Sequence, residues 1–389
     1  VVQIQRLLDE FMELVQIDSE SGNEREICDR LHDKLSRLGL SVMEDNSASK
    51  TGLGAGNLIA TLPPTQMYAT PIYFTCHMDT VTPGNGVNPI IHGEYVMSDG
   101  RTVLGSDDKA GIAALLEGIR LLQEQRIEHG LIQFIITVGE EVGLIGAKHL
   151  NPALIRAEHG YALDSNGPVG EIIASCAAHM KARIKIRGRA AHSGINPEEG
   201  ISAIQIASKA ISKIKLGRID HETTINIGQF HGGVAMNIVP EEATIVAEVR
   251  SCNMEKLRHY ADQMVETFRQ TALTHGGAVE AETDLSFASF EYTPQDAVIQ
   301  HAMTALKTIG REPFLISTAG GSDANIFNSY GIPTVNLGLG YEKIHTTEER
   351  MPIQELSKAA ELVVALAAQT ATVKEIAVTT DRSDQLAGV

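Results

Sequence analysis

Apolar residues recur along this chain with two periods, and the switches between them lay out its elements. Over residues 3–16 and 24–38 they fall three and four apart, which predicts two amphipathic helices. Short apolar runs bounded by polar or glycine residues predict strands at 40–44, 57–62, 72–76, 131–138, 161–163 and 334–338. Ile112, Leu115, Leu116, Ile119 and Leu122 stand at helical spacing, so a helix is expected over 109–125.

From Met180 the order changes. Strand 180–187, helix 201–215, strands 223–230 and 243–250, helix 255–275 and strand 278–284 spell βαββαβ, the ferredoxin-like pattern of a small open-faced sheet. The chain then returns with a helix at 298–309, a glycine-rich turn at Ala319-Gly-Gly-Ser-Asp323 and a last helix at 353–370. The expected architecture is α/β, with a discontinuous core domain (1–178 and 289–389) interrupted by an inserted domain (179–288). Residues 374–389 are polar and are expected to fray.

The run 72–76 leads straight into His77, and 131–138 leads through Gly139 into Glu140-Glu141. Asp164 follows 161–163, and His345 lies in the loop after 334–338. Open α/β sheets place their ligands beyond the carboxyl ends of strands, so these residues are candidates for one site. Asp107 and Asp108 stand at the entrance of the 109–125 helix, where carboxylates are favoured. Imidazole and carboxylate ligands with one shared oxygen are what a pair of divalent metal ions requires.

Composition narrows the substrate. At 389 residues and 43% hydrophobic, the chain can bury a large core, and with no Trp that core must be mostly aliphatic. A net charge of -17 disfavours nucleic acid and anionic lipid, leaving small molecules. Cys28, Cys76, Cys176 and Cys252 have no paired spacing, which suggests a reduced, cytosolic setting. The first residues lack the basic start and cleavage site of a signal peptide, and no run is long enough to span a bilayer.

The set His77-Met-Asp79, Gly105-Ser-Asp-Asp-Lys109, Gly139-Glu-Glu141, Asp164, Ala191-His-Ser-Gly194 and His345 resembles the di-zinc aminoacylase and carboxypeptidase-G-like metallopeptidases. Within them it is most similar to the peptidase T-like tripeptidases. The resemblance implies a mixed-sheet, di-zinc exopeptidase-like catalytic domain, with the inserted domain as a lid. It implies one metal on His77, Asp107 and Asp164, another on Asp107, Glu141 and His345, and a cis bond between Asp107 and Asp108. Glu140 becomes the general base and Asp79 the group that orients His77. His192 becomes the stabiliser of the tetrahedral oxyanion, in some relatives delivered from a partner subunit.

Arg250 could grip a substrate carboxylate, with Asn237 nearby, and Gly320 and Gly321 could let backbone amides approach the substrate. The nitrogen and oxygen ligands would accept cobalt or manganese in place of zinc. Whether two copies pair through the inserted sheet is left open by the sequence.

Most of the 14 histidines, such as His129, His149 and His275, read as structural or surface residues, and Glu198-Glu199 and Glu241-Glu242 as solvated acids. Arg250 has surface pairing as an equal alternative. The expected reaction is hydrolysis of an amide bond in a small peptide, tripeptides first. The nearest alternatives are an N-acyl amino acid or a peptide cut from its carboxyl end. A binding module that has lost its chemistry, and a serine hydrolase using Ser193 or Ser322 with His192, are the readings from other classes.

Overall fold

The computed structural model describes residues 1–371; the expected fraying at 374–389 lies outside the described residues. Two mainly apolar runs form the middle of the larger sheet. Every residue of Ile72–His77 and Ile132–Thr137 is buried, including Thr75 and Gln133, the condition that a mainly apolar run meets in a strand covered on both faces. Ile72–His77 is parallel to both Ile132–Thr137 and His159–Ser165, and the latter is parallel to Thr334–Gly338. Outside this parallel centre, Leu58–Leu62 and Ser41–Glu44 add on antiparallel at one side and Glu171–Cys176 at the other. The nine-stranded sheet is therefore mixed, as expected.

Helices cover this sheet. Ser106–Glu124 packs against Ile353–Gln369 and Ile4–Val15, and crosses the sheet over Ile72–His77. Its approach is set by glycine. A Cβ on Gly111 would lie 2.4 Å from Asp108 Oδ1, 2.7 Å from Cys76 Sγ and 2.8 Å from the Leu163 carbonyl. Regular helical geometry begins only after Asp107 and Asp108, whose backbones are non-helical and whose connecting peptide bond is cis, as the family resemblance implied.

The smaller sheet has its own core of Ile184, Ile186, Ile245, Val249, Leu257 and Phe268. Along the chain it runs Ala178–Arg187, helix Ala203–Ile211, Gly217–Arg218, Thr223–Gly232, Glu242–Ser251, helix Met254–Thr274 and Ala278–Phe287. All pairings are antiparallel, with Ala178–Arg187 between Glu242–Ser251 and Ala278–Phe287. Gly217–Arg218 is an addition to the expected order, and the first helix ends at Ile211, four residues early.

Other elements escaped the sequence pattern. Ile90–His92, Tyr95–Met97 and Arg350–Pro352 form a separate three-stranded sheet, each strand too short to show a period of two. Glu171–Cys176 and Phe314–Thr318 pair with each other in parallel, and a helix, Asp323–Ser329, follows the glycine-rich turn.

Because the helix–sheet contact at Gly111 has no room for a methyl group, Gly111→Ala is expected to cost about 1–3 kcal/mol through overpacking. Urea denaturation measures this, and an unchanged midpoint and slope would contradict the packing account.

Candidate metal centre

The parallel centre of the sheet delivers side chains to one edge. His77 ends its strand, Glu140 and Glu141 follow Ile132–Thr137, Asp164 is the penultimate residue of His159–Ser165, and His345 lies beyond Thr334–Gly338. His77 Nε2 is 3.0 Å from Asp107 Oδ1 and 3.7 Å from Asp164 Oδ1. His345 Nε2 is 3.0 Å from Glu141 Oε1 and 3.3 Å from Asp107 Oδ2. Asp107 thus turns one oxygen to each histidine. Two triads result, His77/Asp107/Asp164 and Asp107/Glu141/His345, each with its donor atoms within 4.8 Å of one another; His77/Glu140/Glu141 is an overlapping third.

Hydrogen bonds fix these groups from behind. Asp108 is buried, accepting from the His77 amide at 3.2 Å and the Gly111 amide at 3.2 Å. His77 Nδ1 lies 2.9 Å from the main-chain carbonyl of Asp79 and 3.5 Å from its carboxylate. The carbonyl, rather than the expected carboxylate, is therefore the closer acceptor that holds the proton on Nδ1 and leaves Nε2 free. The Asp79 carboxylate instead accepts from Ser21 Oγ at 2.6 Å and from the amides of Glu140 and Glu141 at 3.0 and 3.3 Å. It ties the acidic loop to the histidine strand.

Asp164 is held by Asn336, which accepts from its amide at 2.9 Å and donates to its carbonyl at 2.7 Å, and by the Tyr341 hydroxyl at 3.2 Å from Oδ1. Sequence reasoning passed over Asp108, Asn336 and Tyr341 as supports. Only Asn336 left a signal, as a lone amide inside the apolar run Thr334-Val-Asn-Leu-Gly338.

The charges are unbalanced. Burial, with the nearby charges of Asp107 and Glu141, raises the Asp164 pKa to about 7 despite its hydrogen bond from His77. Burial and then Asp164 push Glu140 well above the usual carboxylate range. Hydrogen bonds to Asp107 and Glu141 carry His345 up to about 10. Among the described residues no Lys or Arg pairs with any of the six. A nitrogen and oxygen donor set, rich in anion and open on the half-exposed His345 side, fits two divalent cations.

Beside Glu140 and Glu141 lies a cavity of about 620 Å3 whose walls include Arg250, Gly320 and Gly321, together with Lys148, Lys181 and His179. Arg250 is 3.1 Å from Glu248 and also donates to the Ala319 carbonyl, so it both pairs with an acid and faces the cavity. Gly321 is required by space, since a Cβ there would sit 2.2 Å from the Phe287 ring.

His192 and Asn237 belong elsewhere. Both are exposed, on neighbouring segments joined by the Ser193 amide and the Asn237 carbonyl at 3.0 Å. Among the described residues no hydrogen bond or ion pair joins either to the acidic cluster. Ser322 is occupied as a helix cap and Ser193 is exposed beside His192, so neither forms a nucleophile elbow.

Residues 177–275 match the family model of the peptidase dimerisation domain of the M20 peptidases, and 57–209 match that of peptidase family M28. An uncharacterised Bacillus subtilis protein, YqjE, is 54% identical over 95% of this chain and 100% of its own length. The crystal structure of the aminopeptidase PepT from Bacillus cereus is 52% identical, with a TM-score of 0.91 over 95% of this chain and 99% of that one. A Staphylococcus aureus tripeptidase structure is 47% identical, with a TM-score of 0.92 and the same coverage.

Without cations the cluster stores protons. Folded Asp164 keeps its proton up to about pH 7, whereas an unfolded aspartate releases it near ~3.9. Folded His345 keeps its proton to about pH 10, against ~6.5 when unfolded. The native state binds the extra protons in both windows, so its stability falls as pH rises through them. Metal-stripped protein is expected to melt at steadily lower temperature from about pH 5 to about pH 9, and saturating zinc to raise and flatten the curve. A melting temperature that climbs with pH in the metal-free chain would contradict this account.

Proposed function

The chain belongs to the peptidase T-like branch of the M20 metallopeptidases, and from that membership we propose that it is a di-zinc aminopeptidase cleaving amide bonds of small peptides, tripeptides first. The observation that carries this reading is the meeting of the two triads at the two oxygens of Asp107. His77, Asp107 and Asp164 would hold one ion, and Asp107, Glu141 and His345 the other. Two such ions, when bound, polarise the scissile carbonyl and bring the pKa of water towards ~7. Cobalt or manganese would satisfy the same donors.

Glu140 then takes the proton from the attacking water and passes it to the leaving amine. Its raised pKa, due to burial, suits a group that must both accept and release a proton near neutrality. Asp79 positions that base by accepting from the Glu140 and Glu141 amides. Arg250 would take the substrate carboxylate, a reading supported by Lys148 and Lys181 on the same cavity wall, while Gly320 and Gly321 leave room for the peptide backbone.

His192 would donate to the developing oxyanion, and Asn237 lies in the segment beside it. Their exposure on the smaller domain requires that they reach a substrate by domain closure or from a second copy. We read 179–288 as a ferredoxin-like lid between catalytic parts 1–178 and 289–389. The match to a peptidase dimerisation domain supports pairing of two copies through it. Among the described residues no helix is long and apolar enough to cross a membrane, and the four free cysteines suit a reduced cytoplasm.

Two experiments test the reading. Glu140→Gln should retain two metal equivalents by elemental analysis yet lose roughly 10²–10⁴ in kcat, whereas Asp107→Asn should lose metal from both positions. Full turnover in Glu140→Gln would remove the assigned base. Free tripeptides, N-blocked tripeptides and N-acyl amino acids assayed side by side should show turnover of the free tripeptides; hydrolysis confined to blocked substrates would move the assignment to an N-acyl amino acid amidohydrolase or a carboxypeptidase.

A further inference from the structure

Glu349 lies four residues beyond His345 and is buried, 2% exposed. Its side chain reaches across to the turn that carries Asp107. One oxygen, Oε2, accepts the amides of Leu104 at 2.8 Å and Gly105 at 2.9 Å; the other, Oε1, accepts the Ser106 hydroxyl at 2.5 Å and the Asp107 amide at 3.1 Å. A carboxylate has about four lone-pair sites, and here every one of them has a donor. The turn needs this partner, because Gly105 is left-handed and Asp107 and Asp108 are non-helical, so its amides face no helical carbonyls.

The two histidines of the cluster are held in unlike ways. His77 is 1% exposed and ends a strand whose neighbours are parallel on both sides. The His345 side chain is 47% exposed, and its backbone, like that of Lys343, lies in the left-handed region at φ 61° and 57°. The loop is closed on itself by Glu342 and Arg350, which exchange main-chain hydrogen bonds at 2.9 and 3.0 Å. Through Glu349 the same loop grips the turn bearing Asp107. His77 and Asp164 are thus built into the sheet, whereas Asp107 and His345 sit on a turn and a loop that must keep register, and only the second triad takes both of them.

We infer that Glu349 is a positioning residue that locks the Asp107 turn to the His345 loop and through that lock sets the affinity for the second of the two cations. This rests on the di-metal reading above. A glutamine at 349 would offer one acceptor oxygen where two are used and turn its amide hydrogens towards two of the four donors. The turn and the loop would separate, and His345 would lose its distance to Asp107 Oδ2.

The test uses the full chain, stripped of metal and titrated with Co2+ by calorimetry and visible absorption, with the melting temperature of the metal-free protein alongside. In Glu349→Gln the first equivalent is expected to bind within about threefold of wild type and the second about 10–100-fold more weakly. Ser106→Ala keeps the buried charge and removes one donor, so a smaller loss of roughly threefold, again confined to the second equivalent, is expected. A second equivalent as tight as wild type in both variants overturns the inference, even if melting falls, because the role would then be structural only. Equal weakening of both equivalents also overturns it.

If Glu349→Gln does not fold, Ser106→Ala decides. Fewer than two equivalents in the wild-type chain would remove the di-metal reading itself. Two bound equivalents without peptide hydrolysis would remove the peptidase reading and leave this lock standing.

Discussion

Mutual repulsion among carboxylates is the constraint around which the metal centre is built. Asp107, Glu140, Glu141 and Asp164 converge at one sheet edge with two imidazoles, and among the described residues no lysine or arginine is paired to them. Two like charges 4 Å apart cost about 4 kcal/mol at an effective dielectric constant of 20, so several such pairs rival the stability of a whole domain. The chain can hold the arrangement only because each acid is fixed from outside the cluster, and because protons or cations supply the missing positive charge.

That constraint explains the buried polar groups around the site. Asp79, Asp108 and Glu349 are further buried carboxyl groups, and each accepts hydrogen bonds from main-chain amides of the segments that carry or adjoin the clustered groups. Amide donors stabilise a buried carboxylate without supplying a mobile countercharge that could fold into the site and compete for it. The parallel strands contribute the rest by bringing four chain segments to the same edge, and Gly111 lets the Asp107 helix settle close against them.

Legibility in the sequence followed the length and regularity of the signal. The buried strands were readable because their runs are mainly apolar, with Thr75, Gln133 and Asn336 as isolated polar exceptions, and the ligand candidates because they stand where such runs stop. Glu349 was not readable: in Thr-Thr-Glu-Glu-Arg350 it looks like one of a solvated acidic pair, and its neighbour Glu348 is indeed exposed. Asp79 was legible as a support for His77, but which of its oxygens faces the imidazole depends on a main-chain turn that leaves no mark in residue type.

The sequence by itself determined the order of the longer helices and strands, the interruption of one α/β unit by another and the inventory of groups able to bind metal, because these depend on local periodicity and residue chemistry. Tertiary structure alone decided that Asp107 turns an oxygen to each histidine, that His345 hangs from a loop fastened by Glu349, and that His192 and Asn237 stand apart from the cluster. Those outcomes are set by distances between residues 30 to 245 positions apart, and no local pattern encodes how far a returning chain will pass from one it left behind.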